Sequence, residues 1–322
     1  MSRKKQPAKG MGPRVTTPKQ TTDQTADALD IAAHGSGPQV RERLRDSGYL
    51  SDDRTADIVS LAARLGKPVL IEGPAGTGKT QLAKSVAEIS GRRLVRLQCY
   101  EGIDESKALY EWDYRKQLLW IQAARGAEEF DADAIVEEGK GIFDSRFLLS
   151  RPMLEAINAD DPVVLLVDEV DRVDTETEAL FLEVLAEHQV TVPELGRVAA
   201  KHIPLVFLTS NGTRDLSEAL KRRCLFLYLD YPSAERERDI VQQHVPTLSD
   251  SLAGELVALV DTLRRMKLKK PPSVSESIDF AQTLTLLGST ELDPATAALG
   301  LNVLLKYQED IRTATTALAR RL

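Results

Sequence analysis

The string Gly73-Pro74-Ala75-Gly76-Thr77-Gly78-Lys79-Thr80 constrains this chain more than any other. It matches G-x-x-x-x-G-K-[ST] at every fixed position. It follows a short apolar run, Val69-Leu70-Ile71, and precedes a helical stretch from Gln81 to Ser90 that Gly91 closes. Strand, glycine-rich loop and helix in that order are the context this motif requires. Glycines let backbone N–H groups turn inward and cradle phosphate oxygens at a helix N-terminus, where the helix dipole favours negative charge. Residues Gly73 to Thr80 are therefore expected to hold the phosphates of ATP. Lys79 is expected to reach the β- and γ-phosphates, and the Thr80 hydroxyl to ligate Mg²⁺.

Four more apolar runs read as strands: Leu94-Val95-Arg96-Leu97, Val163 to Val167, Pro204 to Leu208, and Leu225 to Leu229. Helical stretches separate most of them. That alternation predicts an α/β fold, a mostly parallel sheet flanked by helices. Ligands of such sheets bind at the carboxyl ends of the strands, and polar residues stand there. Asp168-Glu169 follows the run Val163 to Val167. Asp168 is expected to orient Mg²⁺ through water, and Glu169 to align or deprotonate the attacking water. Asn211 follows the run Pro204 to Leu208. Before Gly212 it would by itself read as a turn residue. In order and spacing after the other motifs, it reads as a group that contacts the attacking water or the γ-phosphate. Eleven residues later come Arg222 and Arg223. One of them is expected to offer a guanidinium to the γ-phosphate of a neighbouring subunit; the sequence does not choose between them.

Composition closes off other classes. Two cysteines, Cys99 and Cys224, lie far apart and read as reduced thiols rather than a disulfide framework. The four histidines show no metal-ligand spacing, so no structural zinc site is expected. No stretch of about 18 apolar residues suggests a membrane span, and the first ten residues lack the apolar core of a secretory signal. A cytoplasmic location is the expectation. The first twenty residues carry six cations and no acid, which leaves −13 on the remainder of a chain whose total is −7. So acidic a body argues against broad contact with nucleic acid. The basic run from Arg264 to Lys270 reads as a solvated helix C-terminus, with a partner patch as the alternative.

Three segments follow. Residues 1–38, rich in Thr, Gln, Pro, Gly and Lys, read as a disordered basic leader. Residues 39–231 form the nucleotide-binding α/β domain, and residues 232–322 an all-helical lid in which four helices are legible. The lid stretches are Ala234 to His244, Leu252 to Met266, Ser275 to Leu287 and Pro294 to Leu304.

The order and spacing of these motifs, with the helical lid, resemble AAA+ ATPases. A long insertion at about 100–145 and a hairpin-like string from Gln189 to Val198 are similar to the helix-2 insert and pre-sensor hairpin of the MoxR family. Three strings, Leu97 to Gly102, Ala108 to Trp112 and Lys270 to Ser273, look like its CoxD-type branch, associated with carbon monoxide dehydrogenase maturation. The resemblance covers roughly residues 45–290. It implies an ATPase chaperone that works as a homo-oligomer, a hexameric ring. It further implies a client metalloenzyme, such as a molybdenum enzyme, and a partner bearing a von Willebrand factor A domain. The alternatives are a Rubisco-activase-like remodeller and a nucleic-acid-directed motor. One departure stands out. Many MoxR proteins carry a nucleotide-sensing lid arginine, and here Ser275 or Glu276 falls at that place.

Overall fold

The computed structural model describes residues 30–31, 35–125 and 141–319. Helices α1 (Gly37–Asp46) and α2 (Asp53–Leu65) precede the first strand. Asp52 caps α2 by accepting from Thr55 N at 2.8 Å, and Gly66 ends it in the left-handed region. Strand β1 (Val69–Glu72) then runs into the glycine-rich loop and α3 (Lys79–Ile89), followed by β2 (Arg93–Gln98).

An insertion separates β2 from the next strand of the sheet. It contains α4 (Glu105–Ala108), β3 (Tyr110–Trp112), α5 (Tyr114–Arg125), β4 (Leu148–Ser150) and α6 (Pro152–Ile157). β3 and β4 pair antiparallel, with Tyr110 opposite Ser150. Then come β5 (Val163–Asp168), α7 (Thr175–Glu187), and an antiparallel hairpin of β6 (Gln189–Val192) and β7 (Gly196–Ala199). β8 (Leu205–Ser210), the short helix α8 (Glu218–Lys221) and β9 (Leu225–Tyr228) complete the domain.

The main sheet is parallel in every pairing, with order β2-β5-β8-β1-β9. β5 and β8, two of the three interior strands, are buried at all six positions each, as expected for strands covered on both faces. Side chains alternate between the faces. Leu165, Val167, Val206 and Leu208 pack with Met153, Ile157 and Phe181 on one side. Val164, Leu166, Phe207 and Leu227 pack with Val40, Leu44, Leu82 and Val86 on the other. The sheet order places the carboxyl ends of β5, β8 and β1 side by side, which brings the polar strand ends of the sequence together.

The lid consists of α9 (Ala234–His244), α10 (Asp250–Arg264), α11 (Val274–Leu287), α12 (Pro294–Leu304) and α13 (Gln308–Ala319). Its own core holds Val241, Leu256, Val260, Leu263, Phe280, Leu284 and Leu301.

Three expectations need correction. The folded body begins before residue 39: Ile31 is buried in the core that contains Leu44, Ser60 donates to Gly35 O, and α1 starts at Gly37. The rest of the expected leader lies outside the described residues. The lid has a fifth helix, α13, whose Thr313, Thr315 and Thr316 lower helix propensity but bond the carbonyls four residues back. The basic run is not simply solvated. Arg264 forms a bidentate pair with buried Glu237 on α9, one arm at 2.9 Å, and donates to Pro272 O at 2.8 Å. Lys269 N and Lys270 N donate to buried Asp310 on α13. Among the described residues no helix is long and apolar enough to cross a membrane.

Candidate nucleotide site

The loop between β1 and α3 needs its glycines. Gly73 has φ 150°, and a Cβ there would stand 2.0 Å from Leu229 O. Gly76 has φ 74°, and its Cβ would meet the Ser273 side chain at 2.3 Å. The N-terminal end of lid helix α11 therefore rests directly on the loop. Lys79 is buried, and its Nζ donates to Gly73 O and Pro74 O, both at 2.7 Å. Burial lowers its pKa, against the pull of Asp171, Asp168 and Glu169.

Asp168 is the hub. Its Oδ1 accepts from Thr80 Oγ1 at 2.9 Å and from Thr209 Oγ1 at 2.6 Å. Its Oδ2 accepts from Arg96 Nε at 3.1 Å and Arg96 Nη2 at 2.6 Å. Thr209 Oγ1 in turn accepts from Glu169 N at 2.9 Å. Glu169 has φ 57° and ψ 49°, left-handed for a residue with a side chain. Such strain costs about 1–3 kcal/mol and persists where surrounding bonds fix it. Here the Thr209 bond and the turn Val170–Arg172 do so. The Glu169 carboxylate meets Arg172 Nε at 2.7 Å.

Asp171 is buried under the next strand end. Its Oδ2 accepts from Thr213 Oγ1 at 2.6 Å, Thr213 N at 2.9 Å and Asn211 N at 3.2 Å. Burial opposes its ionisation, but those bonds outweigh it and hold the carboxyl below the usual range. Nearby, buried Glu178 accepts from Arg214 Nη2 and Ser217 N, both at 2.8 Å, which fixes the rest of the loop after β8. Arg222 and Arg223 lie at the exposed end of α8. The Arg222 side chain is 79 % exposed, 3.5 Å from Glu218; Arg223 Nη1 donates to Ala219 O at 2.9 Å. Neither is tied to the loop or to Asp168 among the bonds of the described residues. Burial pushes the thiols of Cys99 and Cys224 up to about 12, so neither is poised as a nucleophile.

A cavity of about 530 Å³ opens beside the glycine loop. Tyr49, Leu50, Tyr231, Ile240 and Ile278 supply apolar walls, with Gly76 to Gly78 at one end. A slot of mixed apolar and polar lining beside the glycine loop fits a nucleobase and ribose. For a divalent cation the fit is of one kind. No cluster of three or more His, Cys, Asp or Glu able to cage a metal exists among the described residues. Thr80 and Asp168 adjoin, which suits Mg²⁺ held by few protein groups together with phosphate and water.

Sheet, loop and strand-end carboxylates together define a P-loop nucleotide-binding domain of the AAA+ class. Residues 68–224 match the family model of the AAA domain, dynein-related subfamily. An uncharacterized protein of Staphylococcus saprophyticus is 23 % identical over 76 % of this chain and 88 % of its own length. One from Staphylococcus haemolyticus is 22 % identical over 74 % and 85 %. Among solved structures, the RuvB Holliday junction branch migration motor of Thermotoga maritima has a TM-score of 0.47 at 15 % identity, covering 85 % of this chain and 73 % of that one.

Sequence reasoning did not single out Arg96, Thr209, Asp171 or Tyr49. Thr209 and Asp171 flank chosen motif residues, and a search for polar groups at strand ends would have found them. Arg96 and Tyr49 carry no such signal, because their roles depend on which strands and loops become neighbours.

Proposed function

We propose that this chain hydrolyses ATP with Mg²⁺ and uses the cycle to remodel a protein client. The contact between Thr80 and Asp168 carries the reading, since it joins the helix after the phosphate loop to the end of β5. Backbone N–H groups from Gly76 to Thr80 would grip the phosphates, and Lys79 would leave its loop carbonyls for the β- and γ-oxygens. Thr80 directly, and Asp168 through water, would hold Mg²⁺, which when bound neutralises charge on the phosphates. Glu169 would take a proton from the attacking water, and Asn211 would orient that water. The water oxygen bonds to the γ-phosphorus as the bond to the β-phosphate oxygen breaks, giving ADP and phosphate. Arg222 or Arg223, exposed at the end of α8, would serve the adjacent copy in a ring.

For the client, the sequence strings favour a MoxR-type chaperone of the CoxD-type branch, acting on a metalloenzyme with a von Willebrand factor A domain partner. Glu169→Gln tests both levels. It should keep ATP affinity and lose turnover by at least about 10²-fold, the lower range for a general base. The ATP-locked variant should retain that partner and client when purified from its host. Turnover within tenfold of wild type would remove Glu169 from the chemistry. A retained nucleic acid or carboxylase would replace the client reading.

A further inference from the structure

The Asp168 carboxylate is saturated. Its two oxygens accept four hydrogen bonds, two from threonine hydroxyls and two from the Arg96 guanidinium, which leaves no lone pair for a direct metal bond unless a donor departs. Arg96 reaches it because β2 and β5 are neighbours in register, with Gln98 opposite Asp168 and Arg96 two residues back on the same face. Gln98 Oε1 accepts from Arg96 Nη2 and steadies the guanidinium. An ordinary exposed ion pair would contribute little, but this one is lopsided: the Arg96 side chain is 45 % exposed and that of Asp168 only 4 %.

The carboxylates around Asp168 have partners without any ligand. Asp168, Glu169 and Asp171 face Lys79, Arg96 and Arg172. A dication entering such a site meets carboxylates that cations or hydrogen-bond donors already engage. Nucleotide phosphates bring several negative charges, and only then is a cation favoured. We propose that Arg96 is a positioning residue for Asp168 and a resident counter-cation, which keeps divalent metal off the site until nucleotide arrives. The inference rests on Thr80 and Asp168 being the Mg²⁺ site. It makes metal binding conditional on nucleotide and assigns that condition to one side chain.

Mn²⁺ binding, followed by electron paramagnetic resonance, tests this without relying on turnover. Wild type, Arg96→Gln, Arg96→Lys and Thr80→Ala would be titrated with and without ADP, after circular dichroism confirms that each is folded. Wild type should bind Mn²⁺ with ADP and much more weakly without it. Removing one unit charge a water layer from a dication changes affinity on the order of tenfold. Arg96→Gln should therefore tighten nucleotide-free Mn²⁺ binding by about that factor, and Arg96→Lys, which keeps the charge, should stay near wild type. Unchanged or weaker binding in Arg96→Gln overturns the proposal, as does a lysine variant that behaves like glutamine. If wild type fails to bind Mn²⁺ with ADP, or Thr80→Ala binds it equally well, the Mg²⁺ site itself is misplaced and the Arg96 proposal falls with it.

Discussion

Asp171 carries the loop that bears Asn211. Its carboxylate takes both backbone N–H groups and the Thr213 hydroxyl of that loop from beneath. Removing it should let the loop drift, and misplacement of about 1 Å can cost roughly 10²-fold in rate. Asp171→Ala should therefore lower kcat about a hundredfold with KM little changed in steady-state ATPase assays; a kcat within threefold of wild type would free Asn211 from this support. The same group has a pH signature. Its folded pKa lies below the unfolded value of about 3.9. Its contribution to stability is thus complete above that value and lost as pH falls through the folded pKa. Between about pH 5 and 2, wild type should lose more stability than Asp171→Asn in urea titrations. At this scale the sequence showed contiguous chemistry well. Gly73 to Thr80 forms one string, and Asp168-Glu169 one strand end. Arg96 was hidden because its meaning comes from Asp168, a distant residue that only the sheet order makes its neighbour.

Among the elements, the apolar runs of the main sheet were legible because buried parallel strands read as continuous hydrophobic stretches. The order β2-β5-β8-β1-β9 was not, since pairing partners lie far apart in sequence. Helix α1 hid within a Gly-, Pro- and Arg-rich segment, and α13 behind its threonines. The Arg264 pair shows why periodicity could not read the lid fully. Arg264 on α10 meets Glu237 on α9, Ser277 on α11 donates to the same carboxylate at 2.7 Å, and the guanidinium stacks 4.3 Å from the Tyr231 ring beside the cavity. Three helices and the linker thus meet at one buried charge pair. Breaking such a pair costs about 3–5 kcal/mol, because the partner stays buried and uncompensated. Glu237→Ala should destabilise the lid by that order, read by chemical denaturation. A loss below about 1 kcal/mol would mean that water reaches Arg264 and the pair is peripheral.

At the scale of the whole molecule, the proposed mechanism divides the site between subunits. Lys79, Thr80, Asp168, Glu169 and Asn211 converge within one chain, while Arg222 and Arg223 stand exposed at the end of α8. A ring closed by one repeated heterologous interface would complete every site with a neighbour's guanidinium. Such a group is worth roughly 10³–10⁵ in turnover in other phosphoryl-transfer proteins. Ser273 packs against Gly76, which ties the N-terminal end of lid helix α11 to the glycine loop. The divided site was an expectation of the sequence; the Ser273–Gly76 contact was not, since lid and loop lie in different segments. The most direct measurement is ATPase activity of mixed subunits. Lys79→Ala subunits supply arginines but bind no nucleotide, and subunits with both Arg222→Ala and Arg223→Ala bind nucleotide but supply no arginine. Each alone should be inactive, mixtures should recover part of wild-type turnover, and wild-type specific activity should rise steeply through the assembly range. Full-rate hydrolysis by dilute wild-type monomers, verified by light scattering, would contradict the divided site.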